Sequence, residues 1–132
     1  MAWQRCRSIT GGSEGIASAG DDVTITNNGT ITSTTNDGIY SSGTDATITN
    51  SGTIDAADDG IFSNGSNAII TNSRTINGGE DGIDSSGDDA IITNTNSGTI
   101  NADYGIYSGG ANATINNSGT ITSTTNDGIL ST

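Results

Sequence analysis

Apolar and polar residues alternate along this chain in short bursts that recur at a fixed distance. The dipeptide Gly-Ile stands at Gly15, Gly38, Gly60, Gly82, Gly105 and Gly128, which sets a repeat of 22–23 residues. A typical unit is GIYSSGTDATITNSGTIDAADD at 38–59, and the stretch GTITSTTNDGI occurs identically at 29–39 and 119–129, as duplication would leave it. A period of this length belongs to β-solenoid coils and is too short for helical-hairpin repeats.

Aligning the units on their Gly resolves three apolar columns. The first strand carries Ile16, Ile39, Ile61, Ile83, Ile106 and Ile129. The second carries Ile25, Ile48, Ile70, Ile92 and Ile115, each preceded two residues earlier by Val23, Ala46, Ala68, Ala90 or Ala113. The third carries Ile31, Ile54, Ile76, Ile100 and Ile121. Period-2 alternation puts each set on one face of its strand. A single coil cannot bury such a face, but stacked coils bury it against one another. The pattern predicts an all-β chain, a three-sided parallel β-solenoid of about six coils. Its expected hand is right, by the general bias of parallel crossovers.

Polar columns fit the same frame. Asn27, Asn50, Asn72, Asn94 and Asn117 fall two residues past the second-strand Ile, so parity points them inward at a corner, where stacked amides can bond to each other and to turn backbone. Ser18, Ser41, Ser63, Ser85, Ser108 and Ser131 form a second inward column. Gly20, Gly43, Gly65, Gly87 and Gly110 mark a corner expected to need a positive φ. Arg74 replaces the Gly found at 29, 52 and 119, and the fourth coil gains two residues near Thr95-Asn96, read as a corner bulge. Residues 7–12 mirror 74–79, so Ile9 joins the third column, and counting back six residues places Trp3 in the second. Residues 1–132 read as one domain, with 1–14 an atypical first coil and 15–132 regular repeats. Six coils at the strand spacing rise roughly 29 Å.

Composition narrows the function classes. Thr, Ser, Asn and Gly make up 74 of 132 residues, and 19 of the apolar residues are Ile. Apolar residues reach only 30 %, too few and wrongly ordered for a conventional core, a membrane span or a coiled coil. Disordered chains are poor in the β-branched residues that abound here. Pro is absent, so nothing interrupts a long ladder. There is no His or Lys, the cations are Arg5, Arg7 and Arg74, and the net charge is -12, which speaks against a nucleic-acid partner. Cys6 alone allows no internal disulfide and no Cys-based zinc site. Residues 1–7 contain no apolar h-region of a cleavable signal peptide.

The GTI…DGIYSSG…ATITNSGTI units, over residues 7–132, resemble the repetitive passenger regions of bacterial autotransporter-type surface proteins and related β-solenoid adhesins. The resemblance implies a surface-exposed, structural or adhesive role, extracellular or at the cell surface. It also suggests a passenger fragment as an alternative reading, since the family's signal peptide and membrane barrel are not seen here.

Self-assembly ranks first among the candidate functions. Stacking head to tail would continue the ladders and Ile columns into a homopolymeric filament, a heterologous contact that does not close. The expected assembly residues are Trp3, Ile9, Ile121, Ile129 and Leu130. Surface binding is the second class. Tyr40, Phe62, Tyr107 and Leu130 share one outward position, interrupted by Ala17 and Asp84, and an aromatic stripe of this kind can stack on cell-surface glycans. Its plainer reading is cover for neighbouring strand edges. Thr24-Ile25-Thr26 and Thr47-Ile48-Thr49 resemble the Thr arrays of ice-binding solenoids, although the array decays in later coils. Asp37, Asp59, Asp81 and Asp127 form an acidic column, with Asp22, Asp45 and Asp89 in another line. Oxygen-rich clusters suit Ca²⁺, and the plainer reading is an Asx turn at a corner. No other cofactor and no membrane insertion are expected. Catalysis is not expected either: paired acids need a shaped cleft, every turn here is short, and Cys6 has no His partner.

Overall fold

The computed structural model describes residues 3–132, with side chains from Ser8 onward. It is an all-β chain of sixteen strands, with no helix among the described residues, stacked in parallel as a β-solenoid of about six turns.

The first strand, β1 (Trp3–Gly11), is followed by β2 (Ile16–Ser18), which opens one ladder. Above β2 come β4 (Ile39–Ser41), β7 (Ile61–Ser63), β10 (Asp81–Ser85), β13 (Tyr104–Ser108) and β16 (Ile129–Ser131), six strands in order. The second ladder stacks β3 (Thr24–Ser33), β5 (Thr47–Asn50), β8 (Ile69–Asn72), β11 (Ile91–Asn94) and β14 (Thr114–Asn117). The third begins on the far half of β3 and continues through β6 (Thr53–Asp55), β9 (Thr75–Asn77), β12 (Thr99–Ala102) and β15 (Thr120–Ser123). Because β3 runs through the corner unbroken, the second and third ladders join into one ten-stranded sheet that includes β1.

The register matches the aligned columns residue for residue. Ile39 pairs with Ile61, Ile48 with Ile70, and Ile54 with Ile76, and the same partners recur up the stack. Twelve Ile side chains from Ile25 to Ile106 are fully buried, and the Ala column at 46, 68 and 90 is buried with them. Burying one such Ile is worth ~1.5–3 kcal/mol, so these columns hold the coils together. The two-residue insertion is a turn in which Gly98 N–H donates to Thr95 C=O at 2.8 Å, after which Thr99 resumes pairing with Thr75.

Two sequence expectations are corrected. Trp3 does not stand in the second Ile column: it pairs with Thr24, and Gln4 pairs with Ile25. The register shifts between Cys6 and Ser8, where Arg7 alone spans the place of Asn28 and Gly29, so counting back from Ile9 overshoots by one. The Trp3 side chain, expected at the assembly junction, lies outside the described residues. The corner glycines also do not carry the positive φ. Among the described residues no Gly does, and the left-handed conformation falls on Asp22, Asp45, Asn67, Asp89 and Asn112, at φ between 54° and 60°. Asp and Asn are the side chains that tolerate it best. Gly43 and Gly65 are needed for space instead: a Cβ on Gly65 would stand 1.9 Å from the Gly43 carbonyl oxygen of the coil below.

Candidate functional site

The Asn column forms a continuous ladder inside one corner. Asn27 donates to Asn50 Oδ1 at 2.8 Å, Asn50 to Asn72 at 2.8 Å, Asn72 to Asn94 at 2.9 Å and Asn94 to Asn117 at 2.9 Å. Each of the four donating amides also reaches a backbone carbonyl, as Asn27 does at Thr53 and Asn72 at Arg74 and Thr99. Asn72 Oδ1 in turn accepts from the Arg74 N–H at 3.3 Å, so Arg74 supplies the same backbone contact as Gly29 and Gly52 in other coils. This column is structural. The Ser column differs: Ser41, Ser63, Ser85 and Ser108 are buried, and their hydroxyls find no hydrogen-bond partner.

The expected aromatic stripe is only partly formed. Tyr40 and Phe62 stack with ring centroids 5.5 Å apart. Asp84 pairs in register with Phe62 on one side and Tyr107 on the other, so it separates Tyr107 from the stacked pair. Of the expected assembly residues, Ile9 and Ile121 pack partly buried against the core, Leu130 is half-buried, and Ile129 is 44 % exposed on the last strand.

The acidic column splits in the same region. Asp59 and Asp81 are each only 8 % exposed, whereas Asp37 is half-buried and Asp127 exposed. The structure gathers Asp59 and Asp81 with Asp84, so that one carboxylate oxygen from each lies within 4.8 Å of the others. Asp37 and Asp127 are not in this group. Sequence reasoning missed Asp84 as a member. Its signal was present as an acid interrupting an apolar outward column, but the three residues meet only through the register of neighbouring coils.

The local backbone explains how the carboxylates are held. Asp59 N–H donates to Asp37 Oδ1 at 3.3 Å, and Asp81 N–H donates to Asp59 Oδ1 at 3.0 Å. The next coil has Tyr104 at this place, and its N–H goes to Glu80 C=O at 3.0 Å. Asp81 Oδ1 is left buried with no partner, and so is Asp84 Oδ1. Burial pushes the Asp59 carboxyl up to about 7, with the Asp81 N–H pulling the other way and Asp81, Asp37 and Asp84 adding repulsion. Asp81 is raised to about 6 by burial and then by Asp84, Glu80 and Asp58. Asp84 is likewise raised to about 6, chiefly by burial. Three crowded acid groups of this kind either hold protons or gather around a cation.

Comparison with protein-family models, curated proteins and solved structures gives no match for this chain.

Proposed function

We propose that the protein is a structural element whose coils extend head to tail into a filament outside the cell, and that its role is mechanical rather than catalytic. The observation that carries this reading is an internal precedent for the junction. Residues 74–79 mirror residues 7–12, and β9 seats on β6 with Thr75 over Thr53, Ile76 over Ile54 and Asn77 over Asp55. The last coil repeats 29–39 identically at 119–129, and the original copy carries β6 on its upper side, Thr53 over Thr30 and Ile54 over Ile31. A second copy seated the same way places Ile9 over Ile121 and Ile16 over Ile129. The first and third Ile columns and the backbone ladders then run through the junction, the second column meets Gln4 there, and exposed Ile129 becomes as buried as Ile106.

The test compares the wild-type chain with Ile129→Asp by sedimentation velocity and electron microscopy. The expected result is concentration-dependent filaments for the wild type and monomers for the variant, with unchanged far-UV circular dichroism. Filaments of equal length in the variant would overturn the proposed junction. The same seat also fits a further coil of a longer polypeptide, as in an adhesin passenger, and wild-type particles that stay monomeric at all concentrations favour that second reading.

A further inference from the structure

We infer that Asp59, Asp81 and Asp84 form a binding site for a hard divalent cation of the Ca²⁺ class. The three carboxylates converge to within 4.8 Å of one another from two adjacent coils. Convergence of acids alone is common. What distinguishes this group is Asp81, nine-tenths buried, with an Oδ1 that no donor reaches.

That vacancy in the bonding has a traceable origin. In the two coils below, each Asp of this column accepts the N–H of its successor, but Tyr104 turns its N–H to Glu80 instead. A buried carboxylate oxygen without a donor carries a desolvation cost that a protein group normally offsets. Among the described residues no protein cation fills the role: the charged groups acting on the three carboxylates are themselves acids, Asp37, Asp58 and Glu80.

Access and donor chemistry agree with a metal. Asp81 and Asp84 open into a pocket of about 260 Å³ lined also by Glu80, Tyr104, Tyr107 and Leu130, which leaves room for water ligands. Ca²⁺ takes 6–8 oxygens from carboxylates, carbonyls and water in flexible geometry. Mg²⁺ holds its waters tightly and demands a regular octahedron, which fits this open, one-sided group less well. Among the described residues the site occurs once, because β10 carries an acid where β4, β7 and β13 carry Tyr40, Phe62 and Tyr107.

The test titrates chelator-stripped protein with CaCl₂ by calorimetry, and with Tb³⁺ while exciting tyrosine, since Tyr104 and Tyr107 line the pocket. The variants are Asp84→Tyr, which installs a side chain the same column already accepts at 40 and 107, and Asp81→Asn. The expected result is one Ca²⁺ per chain, Tb³⁺ emission sensitised by tyrosine, and at least a tenfold loss of affinity in both variants. Asp127→Asn, outside the group, leaves binding unchanged. No saturable heat up to about 10 mM CaCl₂, above the ~10⁻⁴–10⁻³ M range of weak calcium modules, would overturn the inference. Equal affinity in the folded Asp84→Tyr variant would also overturn it, by showing that the cations are held diffusely by the acidic surface.

Discussion

The backbone N–H of Asp81 donates to Asp59 Oδ1 at 3.0 Å, and Asp81 offers the next coil a carboxylate oxygen that no group donates to. A repeating contact therefore stops at one coil, and the coil where it stops also replaces an outward aromatic residue with Asp84. Repetition builds the scaffold here, and its local failure gathers Asp59, Asp81 and Asp84 on it.

The first prediction concerns pH in the presence of chelator. Asp59 is raised from 3.8 to about 7 in the folded chain, by burial and by Asp81, Asp37 and Asp84. A folded-state value above the unfolded one means that the folded state binds more protons between the two. Its contribution to stability is then full below about pH 4 and lost as the pH rises toward 7. The urea midpoint of the metal-free wild type is expected to fall from pH 5 to pH 8, and the fall is expected to shrink in Asp59→Asn. A variant with the same pH slope as the wild type contradicts this.

The Asn ladder predicts a strong dependence on position. Asn72→Ala leaves Asn94 Oδ1 and the Arg74 N–H without their partner in a buried corner. Each buried group left unpaired costs ~1–3 kcal/mol, so the variant is expected to lose about 3 kcal/mol or more in chemical denaturation. Asn117→Ala, on the exposed last coil, is expected to lose less than half as much. Equal losses would show that the ladder does not act through burial.

The Ser column predicts a gain. The Ser63 hydroxyl is buried and unpartnered, and its Cβ already occupies the space that Ala needs. Ser63→Ala removes a desolvated polar group at little packing cost and is expected to raise stability by about 1 kcal/mol. A loss of similar size, measured by thermal or urea unfolding, would mean that the hydroxyl has a partner after all.

Corner substitutions separate dihedral strain from space. Asn67 is left-handed at φ 60°, so Asn67→Ala is expected to cost about 1 kcal/mol and Asn67→Gly close to nothing. Gly65 has no positive φ, yet Gly65→Ala drives a Cβ into the Gly43 carbonyl and is expected to cost more than Asn67→Ala. The reverse order would contradict the steric account.

These residues also show what could be read in advance. The Ile and Asn columns were legible because alternation and a near-constant repeat each place a residue without reference to the other, and the two agreed from Ile16 onward. The Trp3 register was not, because the missing residue around Arg7 leaves the local alternation intact while shifting it by one. The role of the corner glycines was misread because Gly signals both dihedral freedom and absence of a Cβ, and sequence does not say which is used. Asp84 was legible as an exception but not as a neighbour, since its distance to Asp59 depends on how two coils sit on each other.

The central claim is that the coil ladder continues from one molecule into the next, and cryo-electron microscopy of the purified chain near neutral pH tests it most directly. The account predicts unbranched filaments with a subunit repeat of roughly 29 Å, six strand spacings, and Ile16 of one copy in register over Ile129 of the last. Uniform monomeric particles, or filaments joined side by side with a different axial repeat, would contradict it.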